Sequence, residues 1–132
     1  MKSKQGIKFM KKLFTLVCLL CCVTAYAEWV LVSKNETGTS LYVDPNIKIN
    51  GNLRMFWHIQ DLAKADNQGD MSYRGVWQYD CTEKKQRNMQ VAAYSKPMAG
   101  GEKTEEVYKP TDWVTIGSDP SSQALLKFIC SI

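Results

Sequence analysis

Leu53-Arg54-Met55-Phe56-Trp57-His58-Ile59-Gln60-Asp61-Leu62 and Ser72-Tyr73-Arg74-Gly75-Val76-Trp77-Gln78-Tyr79-Asp80-Cys81 are the stretches that decide the fold. Both have the length of a central strand and both alternate with period two. In the first, Met55, Trp57 and Ile59 fall on one face and Phe56, His58 and Gln60 on the other. In the second, Tyr73, Gly75, Trp77, Tyr79 and Cys81 share a face, while Ser72, Arg74, Gln78 and Asp80 mostly make the other. Such alternation suggests an antiparallel sheet covered on one side only. A polar loop, Ala63 to Asp70, joins the two.

Working outward, Trp29-Val30-Leu31-Val32 is a short run of strand formers, Asn35 to Thr39 with Gly38 reads as a hairpin connection, and Leu41-Tyr42-Val43 is the returning strand. Turn signals at Pro45-Asn46 and Asn50-Gly51-Asn52 bracket Ile47-Lys48-Ile49. Downstream, Asn88 to Tyr94 is the next strand, with Met89, Val91 and Ala93 on one face. Ser95 to Lys103, with Pro97, Gly100 and Gly101, is the longest turn-rich stretch. Trp113-Val114-Thr115-Ile116 gives a last short strand. The period then changes. Ser118 or Asp119 can cap a helix, Pro120 suits its first turn, and Ala124, Leu125, Phe128 and Ile129 recur at helical spacing. That stripe needs an apolar partner, and the apolar face of the sheet offers one. The expected fold is α+β: a single antiparallel, curved β-sheet of about six strands with a C-terminal α-helix packed on it.

Residues 1–27 read as a signal peptide. Lys2, Lys4, Lys8, Lys11 and Lys12 precede an apolar run from Leu13 to Val23, and Ala25-Tyr26-Ala27 forms an A-x-A site with cleavage expected after Ala27. The run is shorter than the roughly 20 residues that span a bilayer as a helix. Met10 with Lys11-Lys12 offers a second start for a compact signal. Cys21 and Cys22 raise lipid attachment, but neither follows a small residue, and the A-x-A site is better formed. Release into the periplasm, or to the surface or exterior, of a Gram-negative bacterium is expected. No stable membrane span is expected after signal removal.

Of 17 basic residues the signal takes five, which leaves residues 28–132 with 12 basic and 13 acidic residues. The chain's positive charge therefore argues for no nucleic-acid or anionic-lipid partner. Lys84, Lys85 and Arg87, its one basic cluster, read as a solvated turn. The remaining 105 residues suffice for one domain with one core. Three of the five cysteines leave with the signal. Only Cys81 and Cys130 stay, in an oxidising compartment, where a bond between them would staple the helix to the sheet as the single disulfide. Their spacing does not suit a redox-active dithiol, which usually reads C-x-x-C.

Catalytic, metal and cofactor-binding residues are expected to be none. His58 is the only histidine, with no second ligand in H-x-x-x-H or C-x-x-C spacing, and reads as a surface or core-edge residue. No G-x-S-x-G or triad context surrounds any serine. Asp44, Asp61 and Asp80 sit at strand ends, where carboxylates bond turn amides. Gly100-Gly101 lacks the strand-to-helix context of a phosphate loop. Asn35-Glu36-Thr37 fits a glycosylation sequon that would be silent in a bacterium. Tyr42, Phe56, Tyr94 and Tyr108 are candidates for an aromatic binding face, against the plainer reading of sheet packing.

In order along the chain come Trp29, Tyr42-Val43-Asp44, Trp57, Ser72, Asp80-Cys81, Arg87, Tyr94-Ser95 with Met98 and Gly101, Trp113 through Ile116, and the terminal Cys130. In this set residues 28–132 resemble the surface-adhesin protein E family of small exported bacterial proteins. The resemblance implies an antiparallel sheet with a helix tied to it by a disulfide, and an extracytoplasmic, non-enzymatic role. A studied member binds host extracellular-matrix and serum proteins, but no motif carries its binding residues over to this chain, so the binding residues stay unknown. The expected function is that of an exported protein binding host or envelope proteins. The alternative is a periplasmic enzyme inhibitor resembling the lysozyme-inhibitor modules, acting through the Ser95–Lys103 turn.

Overall fold

The computed structural model describes residues 28–132. The expected signal peptide, its expected cleavage after Ala27, and Cys18, Cys21 and Cys22 lie outside the described residues. The two quoted stretches form β4 (Leu53–Asp61) and β5 (Ser72–Asp80), paired antiparallel along their whole length. β6 (Lys85–Lys96) lies against the far side of β5. These three long strands are the centre of the sheet, and each outer flank is shared by two shorter strands. β2 (Ser40–Val43) pairs with the second half of β4, and β3 (Lys48–Asn50) with its first half. β7 (Gly100–Val107) pairs with the end of β6, and β8 (Val114–Thr115) with its start. β1 (Val30–Lys34) closes the β2 edge. The sheet thus has eight strands in the order β1-β2-β4-β5-β6-β7, with β3 and β8 off that path.

The local causes are legible. Gly51 takes φ 57° in the β3–β4 turn, a left-handed conformation that glycine adopts without steric penalty. Asp119 caps α1 (Pro120–Cys130): its carboxylate accepts from the Ser122 amide at 3.0 Å, and Pro120 follows. Leu125, Leu126 and Ile129 are the helix's buried stripe. They pack with Ile116 onto Leu41, Val43, Phe56 and Tyr79 of the sheet. Phe56 meets Tyr79 edge-on at 5.1 Å between ring centroids. Burying each such side chain favours the fold by about 1.5–3 kcal/mol. The Cys81–Cys130 disulfide joins the end of β5 to the end of α1, with Cα atoms 5.7 Å apart.

Three sequence expectations are corrected. The stretch 95–103 is no loop: β6 runs on to Lys96, Pro97 to Ala99 make a tight turn, and β7 begins at Gly100. β7 went unread because Glu102 to Glu106 carry charge instead of alternating apolar residues, as suits an edge strand exposed to water. Met89 does not share a face with Val91 and Ala93. The register slips there, Val76 opposing Gln90 and Trp77 opposing Asn88, so Met89 is the extra residue of a bulge. His58 is not at the surface or core edge. It is fully buried on the helix side, where it pairs with Gly75 and stacks on Trp77 at 3.7 Å.

Candidate functional site

Cross-strand partners share a face, so the register sorts the sheet into two sides. The helix side holds Leu41, Val43, Phe56, His58, Trp77 and Tyr79. The other side carries Trp57, Arg74, Val76, Gln90, Ala92 and Tyr94, and no helix lies over it. Small residues on the two central strands make the floor there, Val76 and Ala92 both being buried. Taller side chains rise around them, Trp57 from β4 and Tyr108 just after β7. The result is a groove of two connected hollows that share Trp57, Gln90 and Tyr108.

One hollow is polar, about 190 Å³, and lined by Arg74, Tyr94, Lys103 and Glu106 among others. Arg74 is exposed, with its guanidinium 4.7 Å from the centroid of Trp57 and 5.8 Å from that of Trp29. Both distances lie within cation–π range. Among the described residues Arg74 has no carboxylate partner and no side-chain hydrogen bond. Glu106 is engaged elsewhere. It accepts from the Tyr108 hydroxyl and, at 3.1 Å, from Lys103. Those two bonds, Tyr108 first, lower the Glu106 pKa, and Glu106 in turn raises those of Lys103 and Tyr108. The second hollow is apolar, about 380 Å³, and is lined by Met55, Val76, Met89 and Pro110, with Asn46 and Lys48 at its rim.

Of the four aromatic candidates, Tyr94 and Tyr108 line the groove, and Tyr108 is 67% exposed. Tyr42 is half-buried on the same side, outside the groove. Phe56 belongs to the core beneath the helix, 1% exposed, so its place in a binding face is corrected. Trp57 and Arg74 were missed as site residues. The signal for them lay in their shared face parity, once Tyr79 and Phe56 were known to face the helix. Asp44, Asp61 and Asp80 bond turn amides as expected: those of Asn46, of Met98, and of Thr82 and Glu83 respectively. Lys84 sits in the β5–β6 turn, whereas Arg87 lies in β6, bonded to Gln78 and 4.6 Å from the Trp113 ring centroid. Asn35 is in the β1–β2 turn, its side-chain oxygen held by Thr37 and Thr39. The glycine pair 100–101 closes the β6–β7 turn.

Among the described residues His58 has no hydrogen-bond partner on either ring nitrogen. Burial pushes its pKa down from 6.5 to about 3, so near neutral pH it is a neutral, buried ring. Among the described residues no three His, Cys, Asp or Glu side chains are grouped to hold a metal ion. No helix there is long and apolar enough to cross a membrane.

Comparison with known proteins gives a consistent picture. The family model described as surface-adhesin protein E matches residues 29–131. The solved structure of Haemophilus influenzae protein E in crystal form II is similar at TM-score 0.59 and 13% identity, over 82% of this chain and 91% of that one. Protein E from non-typeable Haemophilus influenzae gives TM-score 0.56 at 13% identity, over 83% of this chain and 79% of that one. At such identity the likeness establishes the fold alone. A search of curated protein sequences gives no match.

Proposed function

The chain belongs to the surface-adhesin protein E family, and from that premise we propose that it acts outside the cytoplasm as a non-enzymatic module that binds another protein through the helix-free face of its sheet. Residues 1–27 would direct export and be cut after Ala27, leaving the adhesin domain of residues 28–132. The observation that carries the reading is the contrast between the two faces. The helix packs its apolar stripe over one. The other keeps Trp57 and Tyr108 exposed along a groove, beside a guanidinium with no carboxylate partner among the described residues. Exposed aromatic and arginine side chains around a small-residue floor are what protein interfaces favour at their centres. The alternative, an enzyme inhibitor acting through the Ser95–Lys103 segment, would present a hairpin turn held by Ser72.

The test is binding of the exported chain to immobilised matrix and serum proteins and, separately, to envelope proteins. Joint replacement Trp57→Ala and Tyr108→Ala should weaken binding at least tenfold, while Lys127→Glu on the exposed side of α1 should leave it unchanged. Equal loss from both variants would reject the groove face. Binding to an envelope hydrolase alone would reject the adhesin role.

A further inference from the structure

The two hollows of the groove sit at a spacing set by the strand itself. Arg74 and Val76 are two residues apart on β5, and both face the groove. On one face of a strand that interval is roughly 6–7 Å. An extended peptide lying along β5 presents its own alternate side chains at the same interval. Resting on the reading of this face as the binding surface, we infer that the groove takes an extended peptide segment bearing a carboxylate side chain and, two residues along, an apolar side chain. The carboxylate meets Arg74 and the apolar side chain enters the hollow of Met55, Val76, Met89 and Pro110.

Each part of the ligand follows from a part of the site. The indoles of Trp57 and Trp29 flank the guanidinium and restrict its swing, which leaves the donors along its edge to the incoming group. A planar fork of N–H donors matches a carboxylate two bonds at a time, and a held fork loses less freedom on binding. Tyr108 and Lys103 already satisfy Glu106, so Arg74 is the open cation of the polar hollow. Glu106 also limits the ligand's charge. Arg74, Lys103 and Glu106 together carry one net positive charge, Glu106 being the acid that lines the hollow. A sulfated glycan or nucleic acid, with several anions along its length, would find one open cation with Glu106 beside it, whereas a single carboxylate needs only Arg74. Lys48 at the rim of the apolar hollow opposes a basic residue beyond the apolar one.

The probes are acetylated, amidated heptapeptides with glutamate–x–phenylalanine in an otherwise serine and threonine sequence, titrated against the exported chain by calorimetry and by tryptophan fluorescence. Changing the peptide's glutamate to glutamine, or Arg74→Met in the protein, should each weaken binding tenfold or more. The two changes together should weaken it no further than either alone. Placing glutamate and phenylalanine next to each other puts them on opposite faces of the peptide and should abolish binding. Equal affinity of the glutamate and glutamine peptides for the unmodified protein would overturn the inference without any variant, as would no binding by any peptide. If the inference fails while Trp57→Ala with Tyr108→Ala still removes binding of the whole partner protein, the face assignment stands. If partner binding survives that double replacement, the face assignment itself has failed.

Discussion

His58 is buried with two unpartnered ring nitrogens, which makes it a pH liability. Its folded pKa of about 3 lies below its ordinary 6.5, so between those values the unfolded chain binds a proton that the folded chain does not. Stability must therefore fall as pH drops through that window, by up to about 1.4 kcal/mol per pH unit from this group. His58→Leu should remove that slope in urea unfolding measured from pH 7 to pH 4, and near pH 7 it should cost little, because it deletes unsatisfied polar atoms. A variant with the same slope as the parent would show that the burial is not what the stacking on Trp77 indicates. Gly75 opposes His58 for a related reason. A Cβ there would strike the carbonyl of Gln90, brought close by the bulge in β6. Gly75→Ala should destabilise the fold by ~1–3 kcal/mol in the same assay. Alternation alone placed Gly75 on the face of Tyr79 and His58 on that of Phe56; the register made these one side of the sheet. It gave no sign that a histidine on that face is sealed, because the seal is a tryptophan leaning over a glycine on the neighbouring strand.

Among the elements, the β6–β7 hairpin departs most from its sequence. β7 is charged and exposed, and three short side-chain hydrogen bonds hold the hairpin in place. The Ser72 hydroxyl donates to the Lys96 carbonyl at 2.7 Å and accepts from the Ala99 amide at 2.8 Å. Thr104 donates to the buried Asp70 at 2.6 Å. Ser72 is fully buried, so Ser72→Ala should cost about 1–3 kcal/mol in urea unfolding and speed amide exchange in the Pro97–Gly101 turn. Unchanged exchange there would mean that backbone pairing alone holds the turn. The helix, by contrast, was legible: cap, first-turn proline and apolar period all lie within it. A strand read from apolar alternation is invisible where it sits at the edge of a sheet and its side chains face water. That is the physical reason β7 went unread, the stretch 95–103 showing only as turn-rich.

At the scale of the molecule, one disulfide joins the two layers. Cys81 and Cys130 are separated by 49 positions, and closing that loop stabilises the fold by about 4 kcal/mol through the entropy it removes from the unfolded chain. Cys81→Ala with Cys130→Ala should lower the urea-unfolding free energy by that amount, and mass analysis of the exported chain without reductant should find no free thiol. Both a stability change near zero and a chain with two free thiols would contradict the staple. By itself, the sequence determined which residues alternate and that a helix follows a cap at Ser118 or Asp119; these depend on neighbours a few positions away. Tertiary structure decided which face of the sheet the helix covers, and hence that Phe56 is core while Trp57, its neighbour in the chain, stands in the groove with Arg74. It also decided the bulge at Met89 that reverses the facing of β6. Period-two alternation is symmetric between the faces of a strand, and only packing against another layer breaks that symmetry.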